Sequence, residues 1–223
     1  MHARIRTRTR TRTLTHSHTH TQALEPSLKL LSQLRSLDVS GNVKHFSHES
    51  SEGPELMASL MPSLCGLTNL THLGLASNVL LVGGAKTLAR VLGDLRHSLI
   101  SLDLGGRLHA HNRIGPVGMK TLTAGLFWTP LQMLDVSFND LREEGSNSLA
   151  LVLSIHTSLT EISLRGNGMG SPGVRSLMAS LVKHKSLRVL DLADNDLNSD
   201  ALKYVCEGLP QVVFASAARL IDT

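Results

Sequence analysis

The chain has 223 residues, of which 41% are hydrophobic and only 3% aromatic, and its formal net charge is +4. Two cysteines are too few for the disulfide framework of a secreted repeat array, and no apolar run is long enough to cross a membrane. Residues 1–22 hold five arginines and no acid; without them 17 basic residues face 18 acidic ones, a net charge of −1. The rest of the chain therefore lacks the basic surface that nucleic-acid binding needs. We expect a cytoplasmic protein, with the nucleus left open, that binds neither nucleic acid nor membrane.

Residues 1–22 form a low-complexity tail of alternating Thr and Arg, followed by Thr, His and Ser. Such a segment cannot bury enough apolar surface to offset its loss of chain entropy on folding, so we expect it to be disordered. Contact with an anionic surface, a metal site at His16, His18 and His20, and a targeting presequence are three functional interpretations of this short motif. The simplest interpretation is translated repetitive DNA. Residues 23–223 are predicted to form the folded domain.

The folded domain repeats the pattern Leu-x-x-Leu-x-Leu-x-x-Asn, with Val or Ile at some of the leucine positions. Six copies begin near residues 34, 70, 99, 131, 159 and 187. The third copy has Arg107 where Asn is expected, and the frame returns at Asn112 after the insertion 107–111. A second insertion, 43–52, follows the first copy. The six asparagines are Asn42, Asn78, Asn112, Asn139, Asn167 and Asn195.

A helical pattern follows each copy of this motif. A small residue stands six positions after five of the six asparagines, and apolar residues follow four and eight positions later, which is a helical spacing. Gly53, Met57 and Met61 fit the same frame in the first copy after its insertion. One such unit cannot bury its apolar face alone, so the units must stack. Residues 23–33 resemble the end of a preceding helix, either a short cap or the remainder of lost repeats, and residues 212–214 suit a last strand.

These paired patterns resemble the leucine-rich repeat family, specifically its ribonuclease-inhibitor-like class with repeats of 28 or 29 residues. The resemblance covers residues 23–223. It implies an α/β solenoid in the form of a curved horseshoe segment, with parallel strands on the concave side and helices on the convex side. In this family the asparagine side chain bonds backbone groups at the turn that leaves the strand, which suits the general behaviour of Asx side chains. Similar arrays occur in ribonuclease inhibitor, in the sensor regions of immune receptors and in Ran GTPase-activating proteins.

The register of the strands predicts which residues face the concave side. The two last leucines of Leu-x-x-Leu-x-Leu point into the core, so the residues beside them point outward. Five of the outward residues are acidic and one is Arg, a net charge of −4. We predict that this face binds a basic protein partner, although Asp is also common at this position throughout the family. The predicted contact residues are Asp38, His72, Asp103, Met133, Asp135, Glu161, Arg165 and Asp191.

The sequence holds no phosphate-binding glycine motif and no Ser/His/Asp grouping, so we predict a non-enzymatic interaction scaffold without cofactor or metal. His45, His48 and Glu49 are read as a solvated loop, and Cys206 as a small core residue beside the apolar stripe.

Two alternatives stay open, and the oligomeric state is not predicted. One is a GTPase-activating protein of the Ran-specific type, with Arg113 or Arg142 supplying a charge to the transition state. The other is the sensor fragment of a larger nucleotide-binding receptor. Of Phe127 and Trp128, one is expected to be partly exposed on the outer side, and packing against the neighbouring helix is the main role expected of this pair.

Overall fold

The computed structural model describes residues 33–43, 55, 58–60, 63–107, 111–182, 184–208 and 213–214. The tail 1–22, the segment 23–32 and most of the insertion 43–52, with His45, His48 and Glu49, lie outside these residues. Gly53, Met57 and Met61 also lie outside them, although the described residues 55, 58–60, 63 and 64 of the same segment are helical. Predictions about those parts of the chain stay predictions.

Seven short strands form one open sheet in which every strand pairs in parallel with the next one along the chain. The predicted register is present throughout, since Leu37, Leu73, Leu102, Leu134 and Ile162 pair in sequence. The last strand covers two of the three residues expected to form it. The strands are β1 Ser36–Asp38, β2 His72–Gly74, β3 Ser101–Asp103, β4 Met133–Asp135, β5 Glu161–Ser163, β6 Val189–Asp191 and β7 Val213–Phe214.

Helices alternate with these strands and pack side by side in chain order. The α/β solenoid expected from the sequence is therefore confirmed, with a layer of parallel strands on one side and a layer of helices on the other. Neighbouring strands are about 4.8 Å apart, whereas packed helices need about 8–10 Å, which curves the array toward its strands. The helices are α1 Leu81–Asp94, α2 Gly115–Leu126, α3 Arg142–Leu153, α4 Gly170–Leu181 and α5 Ser199–Gly208.

Leucine side chains from both layers fill one continuous core. The central residue of each strand is buried, as at Leu73 and Leu102, and so are the helical residues four apart, such as Leu88 and Leu92. Burial of one such side chain contributes about 1.5–3 kcal/mol relative to its exposure. Leucines at equivalent positions of successive repeats stack on one another, so every repeat completes the core of its neighbours.

Asparagine amides join each repeat to the one before it. The Nδ2 group of Asn139 donates to the carbonyl of Val136 in its own repeat (3.1 Å) and to that of Leu104 in the preceding repeat (2.9 Å). Its Oδ1 accepts the backbone N–H of Ile114 (3.3 Å). Comparable bonds form at the other copies of the motif. We call these residues the asparagine ladder, and its members Asn78, Asn112, Asn139, Asn167 and Asn195 are buried.

The same asparagines complete the starts of the helices. Helices α1 to α4 begin without a side-chain cap, although the first N–H groups of a helix need acceptors. The backbone carbonyl of a ladder asparagine supplies one, because Arg142 N–H at the start of α3 donates to Asn167 of the next repeat (3.0 Å). Helix α5 uses a side chain instead, since Asn198 Oδ1 accepts the N–H of Ala201 (2.9 Å).

Around Asn78, Asn139 and Asn167 the turn holds a left-handed backbone at positions one before, one after and three after the asparagine, and around Asn112 and Asn195 at two of these three positions. Around Asn78 these are Ser77, Val79 and Leu81, with φ of +58°, +53° and +54°. L-residues pay roughly 1–2 kcal/mol for this conformation. Around Asn167 all three positions are glycine, the residue that adopts it freely. The ladder therefore dictates the backbone of the turn even where the side chains oppose it.

Two expectations about exposure are not met: Cys206 is not a core residue, and more than one of Phe127 and Trp128 is exposed. Cys206 is exposed on α5, the last helix that the structure describes, whereas the equivalent Met178 on α4 is buried between neighbouring repeats. Phe127 and Trp128 are both exposed, at 44% and 66%, and their rings contact each other edge to face with centroids 4.7 Å apart. The two rings follow the last turn of α2, where the chain leaves the helical layer.

Replacement of the ladder residue Asn139 by Ala should lower the free energy of unfolding by about 3 kcal/mol, because three buried hydrogen bonds at about 1 kcal/mol each are lost. Asn198→Ala, which removes only the cap of α5, should cost about 1 kcal/mol. Urea unfolding followed by circular dichroism measures both changes. Equal losses would contradict the role given to the ladder.

Gly168→Ala tests the left-handed turn, because Gly168 has φ of +58° and a Cβ there would meet nothing within 4 Å. Only the backbone conformation is penalised, and we expect a loss of about 1 kcal/mol. Gly93→Ala in helix α1 also meets open space and should instead stabilise the protein by up to about 1 kcal/mol. Thermal unfolding of the two variants should give shifts of opposite sign.

Candidate functional site: the concave strand face

The concave side of the sheet carries two rows of side chains, one from the first and one from the last residue of each strand. The pairing aligns each row across the sheet. The first row is Ser36, His72, Ser101, Met133, Glu161 and Val189, and the second is Asp38, Gly74, Asp103, Asp135, Ser163 and Asp191. Of the eight predicted contact residues, seven lie in these rows, and Arg165 lies just beyond the end of β5.

The first row is chemically mixed and well exposed at its centre. Met133 and Glu161 are exposed neighbours on β4 and β5, and His72 is exposed on β2. The Thr71 hydroxyl lies 2.8 Å from Nδ1 of His72, and the Ser101 hydroxyl donates to the Met133 sulfur at 3.5 Å. This row offers one acidic group and an adaptable apolar group to a partner.

The second row contains four aspartates that each close their own turn. In each case Oδ1 accepts the backbone N–H two residues later, at 2.8–3.0 Å, which is an Asx turn. Aspartate at this position therefore has a structural use as well as a charge. A carboxylate can accept further hydrogen bonds, so the turn leaves acceptor capacity for a partner. The four residues are Asp38, Asp103, Asp135 and Asp191.

Two glycines leave room for these carboxylates. A Cβ on Gly74 would lie 2.7 Å from Oδ1 of Asp38, and a Cβ on Gly105 would lie 2.7 Å from Oδ1 of Asp135. A real Cβ atom does not approach an oxygen this closely. Glycine at these two positions therefore leaves space for a carboxylate of the neighbouring repeat. The second row is thus a packed arrangement rather than a set of independent surface charges.

The environment of Asp103 in the second row disfavours the charged form of its carboxyl. Its carboxyl is half-buried, and this burial, with the nearby charges of Asp135 and Asp38, raises its pKa, while the hydrogen bond from Gly105 lowers it. Like charges on adjacent strands thus repel each other here. A cationic group from outside would relieve that repulsion.

Arg165, the one cation predicted on this face, is already paired. Its guanidinium bonds the Asp194 carboxylate of the next repeat (Nε 2.8 Å, NH2 2.7 Å) and lies 5.8 Å from the centre of the Phe138 ring. The His111 ring stacks on Phe138 at 6.4 Å. A Cβ on Gly166 would overlap the Phe138 ring, so this glycine also makes space.

The sequence interpretation missed this second cluster, which we call the edge group: His111, Phe138, Arg165 and Asp194. Three of its members directly precede a ladder asparagine, and that shared position was the signal that could have found them. The strand register also predicts that the residue two positions after each strand faces outward, and this is wrong at Gly105, Ser137 and Ala193, which are buried. These residues lie beyond the three-residue strands, in the turns closed by Asp103, Asp135 and Asp191.

The residues singled out for possible catalytic chemistry lie in separate elements of the chain. Arg142 forms a bidentate pair with Asp140 (3.1 and 3.0 Å) on the surface, and Arg113 lies in the turn after Asn112 with φ of +50°. Burial and a hydrogen bond to Asp94 raise the pKa of Cys65 to about 11, which suppresses its thiolate. Among the residues that the structure describes, no cluster of His, Cys, Asp and Glu has the makings of a metal site, and no helix is long and apolar enough to traverse a bilayer.

Comparison with protein families identifies two repeats of this chain. A family model described as Leucine Rich repeat matches residues 156–178 and 183–206, which include strands β5 and β6. The match supports a leucine-rich repeat family and agrees with the α/β solenoid. Domains of this kind generally mediate protein–protein interaction and are typically non-enzymatic. No curated protein matches the chain.

Replacement of Asp103 by Asn should stabilise the protein at pH 7, because the amide oxygen keeps the turn hydrogen bond while a charge disfavoured first by burial and then by the nearby carboxylates is lost. The pKa of the Asp103 carboxyl is raised by folding. Its contribution to the stability of the wild type is therefore fully present below the unfolded-state pKa near 3.8, and it is lost as the pH rises through the folded-state pKa. The advantage of the variant should therefore vanish below about pH 4. Asp191→Asn, which keeps the same turn bond to Ala193 and is not among the charges that act on Asp103, is the control for urea unfolding across pH. An advantage of Asp103→Asn that persists in acid would exclude the ionised Asp103 carboxylate as the cause.

Proposed function

We propose that the chain is a non-enzymatic scaffold that binds a basic segment of another protein on its concave strand face. The observation that carries this proposal is a run of five carboxylates, Asp38, Asp103, Asp135, Glu161 and Asp191, on one continuous sheet face. The nearest predicted countercharge, Arg165, is bound by Asp194. A cationic partner would meet an acidic surface that the protein itself does not neutralise on this face.

The arrangement favours a partner that crosses the strands. Six strands at about 4.8 Å give a row of about 24 Å, which an extended segment of about seven residues spans. Cationic side chains of such a segment could reach successive carboxylates. Complementary charge over this length raises the association rate and excludes acidic competitors.

Charge alone does not make a complete interface, since a standard one uses about 20–30 residues on each side. Met133 adds an adaptable apolar contact at the centre of the face. The edge group adds the Phe138 ring and the Arg165–Asp194 pair along the ends of the strands. We infer that the partner covers both surfaces. The proposal includes an intracellular location, in keeping with two free cysteines.

The test is affinity capture from a lysate with three full-length baits. In the second bait, Asp103→Asn, Asp135→Asn and Glu161→Gln remove three charges but keep the acceptor oxygens. The third bait is matched in charge and altered elsewhere, with Asp94→Asn, Glu143→Gln and Glu144→Gln. A protein that binds the first and third baits, and not the second, is the expected result.

Titration of the captured protein then gives the magnitude. Loss of three partly exposed ion pairs, at about 0.2–1 kcal/mol each, should weaken binding and raise the dissociation constant roughly tenfold. Added salt should weaken the wild-type complex and affect the charge-neutralised variant less. Equal binding to all three baits would overturn the concave face as the binding surface.

A further inference from the structure

Five apolar side chains, ranging in size from valine to tryptophan, are exposed at or near the ends of three consecutive helices. Trp128 is 66% exposed after α2, and Leu151, near the end of α3, is 74% exposed. Exposed apolar residues are common singly, but a contiguous group indicates an interaction site. We call the group the apolar rim: Phe127, Trp128, Leu151, Ile155 and Val182.

The repeat geometry brings these residues together. Helices α2, α3 and α4 pack in order, and four of the rim residues occupy equivalent positions. Trp128 and Ile155 each lie ten residues after a buried glycine, and Phe127 and Val182 each lie nine residues after one. Buried histidines tie the helix ends to each other. His156 Nε2 donates to the carbonyl of Leu126 at the end of α2 (2.7 Å), and His184 bonds Leu153 at the end of α3 in the same way. The rim is therefore a fixed surface.

The rim is also free of charge along two of its three helices. Residues 121–134 and 145–160 contain no Asp, Glu, Lys or Arg. None of the helices α1 to α4 has a basic residue in its last turn, although cations are favourable there. Along α2 and α3 this surface therefore offers no charge pairing to a charged partner, and it does not repel an identical surface.

We propose that the apolar rim binds the rim of a second copy of this chain about a two-fold axis near the end of α3. Such an axis places α2 of one copy against α4 of the other. The large Phe127 and Trp128 would then face the small exposed side chains Val182 and Ala179, and Leu151 would meet its own counterpart. Large side chains against small ones make the rim complementary to itself, as a two-fold interface requires.

The exposed area suits this role. With each rim side chain presenting on the order of 100 Å², the group offers roughly 500 Å² of apolar surface. A standard interface buries about 800 Å² on each partner, so the rim supplies more than half, and bordering neutral residues such as Ala124 and Ser154 extend it. The concave strand face stays open in such a dimer, so this inference does not rest on the proposed function.

Sedimentation velocity of the full chain, from low micromolar to a few hundred micromolar, tests the dimer. We expect a concentration-dependent dimer whose dissociation constant rises at least tenfold in Leu151→Glu. Val117→Glu is the matched control, because Val117 is 63% exposed at the opposite end of α2, and it should leave dimerisation unchanged. A wild-type chain that stays monomeric, or a dimer that Leu151→Glu does not weaken, would overturn the proposal.

Cross-linking tests the position of the axis. In a background with Cys65→Ser and Cys206→Ser, we expect Leu151→Cys to form a disulfide with its counterpart under mild oxidation, and Val117→Cys to remain a thiol. The two outcomes are read on a non-reducing gel. Cross-linking through position 117 and not through 151 would contradict an axis near α3.

Discussion

The buried side-chain amide of the ladder asparagine is the interaction on which this solenoid depends. Each amide donates to the end of its own strand and to the strand before it, and the backbone carbonyl of the same residue receives the first N–H of the preceding helix. Leucine burial supplies the larger share of the free energy, but it is non-directional. The amides fix the register and the pitch of the stack, because only one relative placement of two repeats satisfies these donors and acceptors together.

The concave face inherits its charge from the same turns. Aspartate is used at the end of β1, β3, β4 and β6 because its Oδ1 closes the turn, and stacking then brings these carboxylates into one row. The raised pKa of Asp103 is the electrostatic cost of that arrangement. The structural motif and the proposed recognition surface therefore share the same atoms, so the proposed binding role does not need residues beyond those that the fold already uses.

The repeat motif was enough to predict the strands, the inward leucines and the concave rows, because both halves of each unit recur at fixed spacing. It also located Asn112 across an insertion, since only that residue restores the frame. It did not predict the pairing of Arg165 with Asp194, which depends on the length of a side chain reaching into the next repeat. Exposure was misjudged for Cys206 and Trp128, because the pattern specifies a helix face but not what covers it.

The left-handed turn positions allow the repeats to diverge without loss of shape. At four of the ladder asparagines the preceding residue has the same left-handed backbone although its side chain differs: Ser77, Phe138, Gly166 and Asp194. Chemistry at this edge can therefore vary with little change of the backbone, except at Gly166, where a Cβ would overlap the Phe138 ring. New specificity can arise there by single substitutions at a modest and local cost, while the leucine core and the asparagines stay constant, which makes this edge the natural place to graft a chosen binding determinant.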